Sequence, residues 1–294
     1  MKVFNSMPTA RSVVLGLLCI AATAAPAQQV RSFKDVVYAT ANGKPLALDL
    51  YMPANVQHPP LVVYLHGGAW KDGDKTQYPA FLVERGFAVA SLDFRSTNVA
   101  PFPANVQDIK AGIRFLRAKA GQYGYKPERI ALAGASSGAH LANEVGMTGG
   151  NAQLEGTLGD YPAQSSRVQA IVSYFGASDL TTILAQSTPF GVSVREPALV
   201  LLLGALPDKV PDLAKLASPF FQVDKGDPPL LLLHGDQDAQ MPINQSHELD
   251  GAYRKLGMDV DLMVVHGVGH VGGPFFEGEP VERVVKFLKR TIGQ

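Results

Sequence analysis

"RIALAGASSGAH", residues Arg129 to His140, is an apolar run that breaks into small residues. Ile130 to Ala133 has the form of a strand buried on both faces. Gly134-Ala135-Ser136-Ser137-Gly138 then fits G-x-S-x-G only with Ser136 at the centre. In a sharp strand-to-helix turn the central residue is strained, and small neighbours let the chain pass close by. The serine hydroxyl is thereby exposed above the sheet, at the start of the next helix, here read as Gly138 to Met147. A Gly/Ser loop without function would use the same residues. The rest of the chain must therefore supply a base, an acid and an anion site.

Working outward, the flanking sequence repeats the strand form. "PLVVYLHGG" (Pro60–Gly68), "FAVASLDFR", "VQAIVSYFG", "PPLLLLHGD" and "VDLMVVHG" (Val260–Gly267) are short apolar runs, as expected of parallel strands covered on both faces. "KPLALDLYM" (Lys44–Met52) alternates apolar and polar and reads as an antiparallel strand. Between the runs lie amphipathic helices. Val106, Ile109, Ile113 and Leu116 form one stripe, with Gly121 suited to the helix end. Val281, Val284, Val285 and Leu288 form the stripe of the last helix, which closes in basic residues. This alternation means an α/β fold: an open, mainly parallel sheet with helices on both faces. Residues 178–227 form a long insertion between two strands, and its apolar "PALVLLLGAL" points to a small packed cap.

The bulk numbers fit one large α/β domain or two small ones, and the order of elements favours one domain with a modest cap. The chain has 294 residues, 46% hydrophobic and 18% charged, with 26 basic against 26 acidic side chains. That balance gives no reason to expect nucleic acid as a partner, and the 7 histidines are too dispersed to suggest a metal. Residues 1–27 differ. Lys2 and Arg11 precede the apolar run Ser12–Ala25, and Ala25-Pro26-Ala27 follows, the pattern of a secretory signal peptide cleaved after Ala27. The run is shorter than a membrane span requires. The expectation is a mature domain from residue 28 to 294, secreted or periplasmic, with no membrane attachment after processing. Cys19, the only cysteine, lies in the segment removed. Nothing in the sequence fixes the oligomeric state.

The remaining chemistry sits after the other strands. "HGGAW" (His66–Trp70) carries glycines whose backbone N–H groups can point into a cleft. Gly68 and Ala69 are the expected oxyanion donors, Gly67 shapes the turn, and Ser137 adds a backbone N–H at the helix start. Trp70, the only tryptophan, either walls the substrate pocket or packs in the core. In "HGDQDAQMP" (His234–Pro242) Asp238 is preferred as the acid, being followed closely by Met241-Pro242; Asp236 is the turn or cap residue. His270, flanked by glycines after the last strand, is the base, carried on a loop expected to be mobile; His266, nearer the strand end, competes. His66 and His234 read as structural, and His140 as lying on the wrong side of the turn.

Together "YLHGGAW", "LDFR", "PANVQDIKAGIRFL", "ERIALAGASSGAHLA", "SPFFQV", "PPLLLLHGDQDAQMP" and "GVGH" resemble the esterase and lipase branch of the α/β-hydrolases, from about Phe33 to Ile292. The order Ser136, Asp238, His270 is the order of that superfamily. The hormone-sensitive-lipase pattern has a third glycine where Ala69 stands, so the chain is more similar to the bacterial feruloyl and acetyl esterases. The resemblance implies Ser136 as nucleophile, Asp238 as acid, His270 as base and Gly67 to Ala69 as the oxyanion loop. It also implies structural buried charges at Asp93 and Arg95. The expected activity is hydrolysis of short acyl or aryl esters, on a small molecule or a polymer, without a cofactor. A prolyl-type serine peptidase and a non-catalytic binding protein on this scaffold are the alternatives.

Overall fold

A computed structural model describes residues 30–293. The signal-peptide reading of residues 1–27 lies outside the described residues. Among the described residues, eight strands form one sheet: β1 (Val30–Ala41), β2 (Lys44–Pro53), β3 (Leu61–Leu65), β4 (Ala88–Leu92), β5 (Ile130–Ala135), β6 (Ala170–Tyr174), β7 (Leu230–Gly235) and β8 (Val260–Val265). Their spatial order is β1-β2-β4-β3-β5-β6-β7-β8. β2 runs antiparallel to both its neighbours, and β4 through β8 are parallel. The chain moves outward from β3 to β4 and then crosses back to β5, which places a topological switch point beside β3 and β5. Open α/β sheets bind their ligands there, beyond the carboxyl ends of the strands.

The helices are α1 (Ala80–Glu84), α2 (Ala104–Tyr123), α3 (Ser137–Met147), α4 (Ala152–Glu155), α5 (Ile183–Gln186), α6 (Pro189–Leu203), α7 (Pro211–Leu216), α8 (Pro219–Gln222), α9 (Asn244–Lys255) and α10 (Gly278–Ile292). The continuous apolar runs have a direct cause. Leu61, Val63 and Leu65 face the core shared with α2 and α3, while Val62 and Tyr64 face the core shared with α1 and α10. β5 and β7 divide in the same way, Leu132 and Leu232 to one side, Ala133 and Leu233 to the other. With both faces covered, no position needs a polar residue.

Two elements depart from the sequence reading. β1 was not anticipated. It is an exposed edge strand, and register shifts between Phe33 and Val36 and between Val37 and Ala39 break its alternation. The signal present was Asn42-Gly43, a two-residue turn with both φ positive, at 52° and 74°. Helix α2 does not stop at Gly121. It runs to Tyr123 and ends on Gly124, left-handed at φ 89°, whose N–H donates to Ala120 O at 2.8 Å.

The insertion between β6 and β7 folds into α5 to α8, with α8 packed against α3 and α9. Pro189 to Lys209 is long and apolar enough to pass for a membrane span, with a mean hydropathy of 1.4. In the structure Ala198, Leu199, Leu202 and Leu203 of this stretch pack into the core, while Phe190, Val200 and Leu201 remain exposed.

Charged side chains brace the layers, but Asp93 and Arg95 are half-buried rather than buried. Arg95 clasps Asp108 of α2 through Nε and Nη2, and its backbone N–H donates to the same carboxylate at 2.8 Å. Asp93 instead accepts from the backbone N–H of Lys75 at 2.8 Å. Asp108 is fully buried, so losing its cation leaves a carboxylate in apolar surroundings. Arg95→Met should destabilise the fold by about 3–5 kcal/mol. Urea unfolding of the variant against the parent measures this, and an unchanged midpoint rejects it.

Candidate active site

Ser136 stands between β5 and α3 with φ 55° and ψ −120°. That is a conformation non-glycine residues avoid. It persists because the turn is held from several sides. The Ser136 N–H donates to Tyr174 O at 2.9 Å, and its carbonyl accepts from His140 N at 3.0 Å. The flanking glycines have no room for a side chain. A Cβ on Gly134 would lie 2.3 Å from Gly138 O, and one on Gly138 would lie 2.1 Å from Leu65 O.

The Ser136 Oγ lies 2.9 Å from His270 Nε2, and His270 Nδ1 lies 2.7 Å from Asp238 Oδ2. The ring nitrogen facing the carboxylate must carry the proton, so Nε2 accepts from the serine hydroxyl. The Asp238 side chain is fully buried. Burial alone would push its carboxyl up. Hydrogen bonds from His234, His270 and the Met241 N–H overcome that and hold it well below the usual carboxylate range. For His270, burial is the largest influence and lowers its pKa from 6.5; the Asp238 hydrogen bond and charge act in the opposite direction. The resting imidazole is therefore neutral near pH 7 and free to take a proton.

His234 braces the acid from behind. Its Nε2–H points at Met241 O, 3.1 Å away, and at Asp238 Oδ2, 3.3 Å away, and its Nδ1 lies 2.7 Å from Ser246 Oγ. Asp236 takes a different partner. Its carboxylate accepts from the Gly267 N–H at 2.7 Å and lies 2.8 Å from His266 Nδ1. His266 thus faces away from Ser136. The base loop is anchored at its start: Gln237 N donates to Val268 O at 3.0 Å, and a Cβ on Gly235 would meet that same carbonyl at 2.1 Å. Phe175, at the end of β6 with φ 44°, sets its ring edge-on to His270 at 5.0 Å.

Gly67, Gly68 and Ala69 line the cleft beside Ser136. Gly68 has φ 122°, and a Cβ there would sit 2.0 Å from Asp72 O. Ala69 follows at φ 52°. Among the described residues, no acceptor meets the backbone N–H of Gly68, Ala69 or Ser137. His66 fixes this loop by donating from Nδ1 to Gly67 O at 2.8 Å while stacking on Phe94. The cleft has a volume of about 500 Å³ and is walled by Tyr64, Phe175, Val194, Arg195, Val271 and Phe276. Among the described residues, no cluster of three or more His, Cys, Asp or Glu could hold a metal ion.

Trp70 does not wall this cleft. It is 1% exposed, and its Nε1–H donates to His140 Nδ1 at 3.0 Å. The His140 Nε2–H donates in turn to Ala217 O at 2.8 Å. Burial brings the pKa of His140 down to about 4, so it stays neutral and keeps this tautomer. The indole has a donor that must be satisfied when buried, and the neighbouring helix, not a substrate, satisfies it. The sequence reading also missed Arg195, Gln240 and Phe175. Arg195 left a trace, a single cation inside the apolar stretch "GVSVREPALVLLL".

Residues 48–253 match the BD-FAE family. The chain belongs to the BD-FAE family of α/β-hydrolase esterases. Esterase LipQ of Mycobacterium tuberculosis is 30% identical over 67% of this chain and 46% of its own length. This BD-FAE chain spans about half the length of the curated relatives it matches. A truncated carbohydrate esterase from gut microbiota superposes with a TM-score of 0.80 at 31% identity, over 90% of this chain and 97% of that one. A bifunctional GH43-CE protein of Bacteroides eggerthii gives 0.79 at 34% identity, over 88% of this chain and 35% of that one.

The indole contact separates a core role from a pocket role. Trp70→Phe keeps the ring edge but leaves His140 Nδ1 without its donor. It should lower stability by about 1–3 kcal/mol. The rate at which a fluorophosphonate labels Ser136 should change less than twofold. A large change in labelling with unchanged stability would reverse the assignment.

Proposed function

We propose that the protein is a serine carboxylesterase acting on short acyl or aryl esters through an acyl-enzyme. The observation that carries this reading is the hydrogen-bonded line Ser136–His270–Asp238, with spacings of 2.9 and 2.7 Å, beside unpaired backbone N–H groups. His270 Nε2 takes the Ser136 proton as Oγ attacks the ester carbonyl. The Asp238 carboxylate holds the imidazole in its tautomer and stabilises the imidazolium. The negative charge that develops on the carbonyl oxygen is met by the N–H groups of Gly68, Ala69 and Ser137. Each such donor typically contributes about 2.7–4 kcal/mol. His270 returns the proton to the departing alkoxide, and the alcohol leaves. Water, deprotonated by His270, then attacks the acyl-enzyme, and Ser136 recovers its proton as the carboxylic acid is released.

The esterase family and the carbohydrate-esterase neighbour support an ester on a small molecule or a polymer as substrate. The basic start, apolar run and Ala25-Pro26-Ala27 support export to the periplasm or outside the cell. The measurement that fixes the substrate class is an acyl-length series on an aryl ester, run beside methyl ferulate and a dipeptide anilide. Preference for the anilide favours a peptidase.

The adjacent serines give an internal control. Ser136→Ala should lower kcat by about 10⁶-fold. Ser137→Ala keeps the backbone N–H and should stay within about tenfold of the parent, which is its difference from a nucleophile. Equal losses in both variants overturn the assignment.

The pH profile follows from His270. Its imidazolium cannot accept the Ser136 proton, so activity falls as pH drops through its pKa. Burial lowers that pKa, and the acid limb of kcat/KM should therefore lie below pH 6.5. Asp238 raises the His270 pKa, so Asp238→Asn should shift the limb to lower pH still while kcat falls about 10⁴-fold. A limb moving upward in this variant contradicts the assignment.

A further inference from the structure

Arg195 is a cation in an unusual place. It lies on α6, is 1% exposed, and forms part of the cleft wall with Ser136 and His270. Taking a guanidinium out of water is unfavourable unless an anion accompanies it. Among the described residues, no carboxylate lies within ion-pair distance of Arg195. Its protein partners are neutral: Nε donates to Gln240 O at 3.2 Å and Nη2 to Gln240 Oε1 at 3.4 Å. Nη1 meets no acceptor among the described residues, yet it is not among the unpaired polar atoms sealed from solvent. That edge of the guanidinium is bare.

The acids nearby are engaged elsewhere. Asp238 is occupied by His270, His234 and the N–H groups of Gln240 and Met241. Asp72, which also lines the cleft, pairs with Lys71 and is largely exposed. Burial brings the Arg195 pKa down to about 10, and the side chain still carries its charge at neutral pH. Asp238 acts on Arg195 by charge without pairing with it, and a planar fork of N–H donors, buried and with no carboxylate in contact, matches the two oxygens of a carboxylate.

We propose that Arg195 binds a free carboxylate carried by the substrate, so that the preferred esters bear an anionic group in addition to the ester bond. This rests on the esterase reading for its turnover but not for its binding. The carboxylate has two possible sources. It sits on the acyl part, as in a monoester of a dicarboxylic acid, or on the alcohol part, as in an acylated hydroxy acid or acidic sugar.

Matched pairs decide between these. On the acyl side, monophenyl succinate is compared with phenyl butyrate. On the alcohol side, 4-acetoxybenzoate is compared with its methyl ester. In at least one pair the parent enzyme should favour the charged member by tenfold or more in kcat/KM, and the pair that responds names the source. Arg195→Gln should bring that ratio to about one or below, and Arg195→Lys should restore part of it. Because Arg195 also holds Gln240, a variant can lose rate on both members, and the ratio is therefore the readout. No preference in either pair, or a preference that survives Arg195→Gln, overturns the proposal.

Binding is read separately by calorimetry on Ser136→Ala, using 4-hydroxybenzoate and monomethyl succinate against the corresponding amides. At least one anion should bind tenfold or more tighter than its amide, and added salt should weaken it. Equal affinity for acid and amide in both pairs rejects the carboxylate site without recourse to any Arg195 variant. Anion binding without turnover of any ester would instead retain this site and reject the esterase reading.

Discussion

The site depends on a close approach of backbone to backbone. Gly138, in the first turn of α3, lies so near the carbonyls of Leu65 and His66 that a single added carbon would sit 2.1 Å from one and 2.4 Å from the other. This contact brings the end of β3 against the start of α3. It sets the oxyanion loop beside the serine, whose backbone is held at φ 55°. Tyr174 O, holding the Ser136 N–H, ties the same turn to β6. The cleft is thus built where three adjacent strands end, and its geometry derives from glycines that contribute no side chain.

The buried histidines show how one residue type takes different roles. His66, His140 and His234 all sit in the interior; protein groups hold His140 and His234 at both ring nitrogens and His66 at Nδ1. Each of them locks a loop or a helix. His270 is held at Nδ1 by Asp238, its Nε2 faces the Ser136 hydroxyl, and the ring lines the cleft. Burial alone would make all four alike. The open side of the ring makes the difference, and it is decided by the loops after β7 and β8.

Much of this was legible in the sequence, for identifiable reasons. Strands covered on both faces must be apolar throughout, so β3 to β7 stand out, and the glycine-rich breaks mark where they end. Ser136, Asp238 and His270 could be named because each follows a strand in the superfamily order, and the structure places them in hydrogen-bond contact. Contacts between segments distant in the chain were not legible. Trp70 lies next to the oxyanion loop in sequence, but its indole turns inward to His140, a partner 70 residues away. β1 was hidden because an exposed, bulged edge strand lacks alternation. Asp236 looked like a local turn residue because its partners, His266 and Gly267, come from the next strand's exit. Arg195 was obscured by apolar neighbours that belong to the cap core.

The insertion that roofs the cleft is fastened to the turn that carries Asp238. Thr188 Oγ1 donates to Ala239 O at 2.7 Å, Arg195 holds Gln240, and Gly191 packs so close that a Cβ would lie 3.0 Å from Ala239 O. Roof and acid turn are therefore a single mechanical piece. Loops that shape substrate fit are often treated as interchangeable modules on a constant catalytic frame. In this fold the hinge of such a module would have to fall outside residues 188–241, because a graft cut inside them would carry a change of substrate fit straight into the orientation of the base.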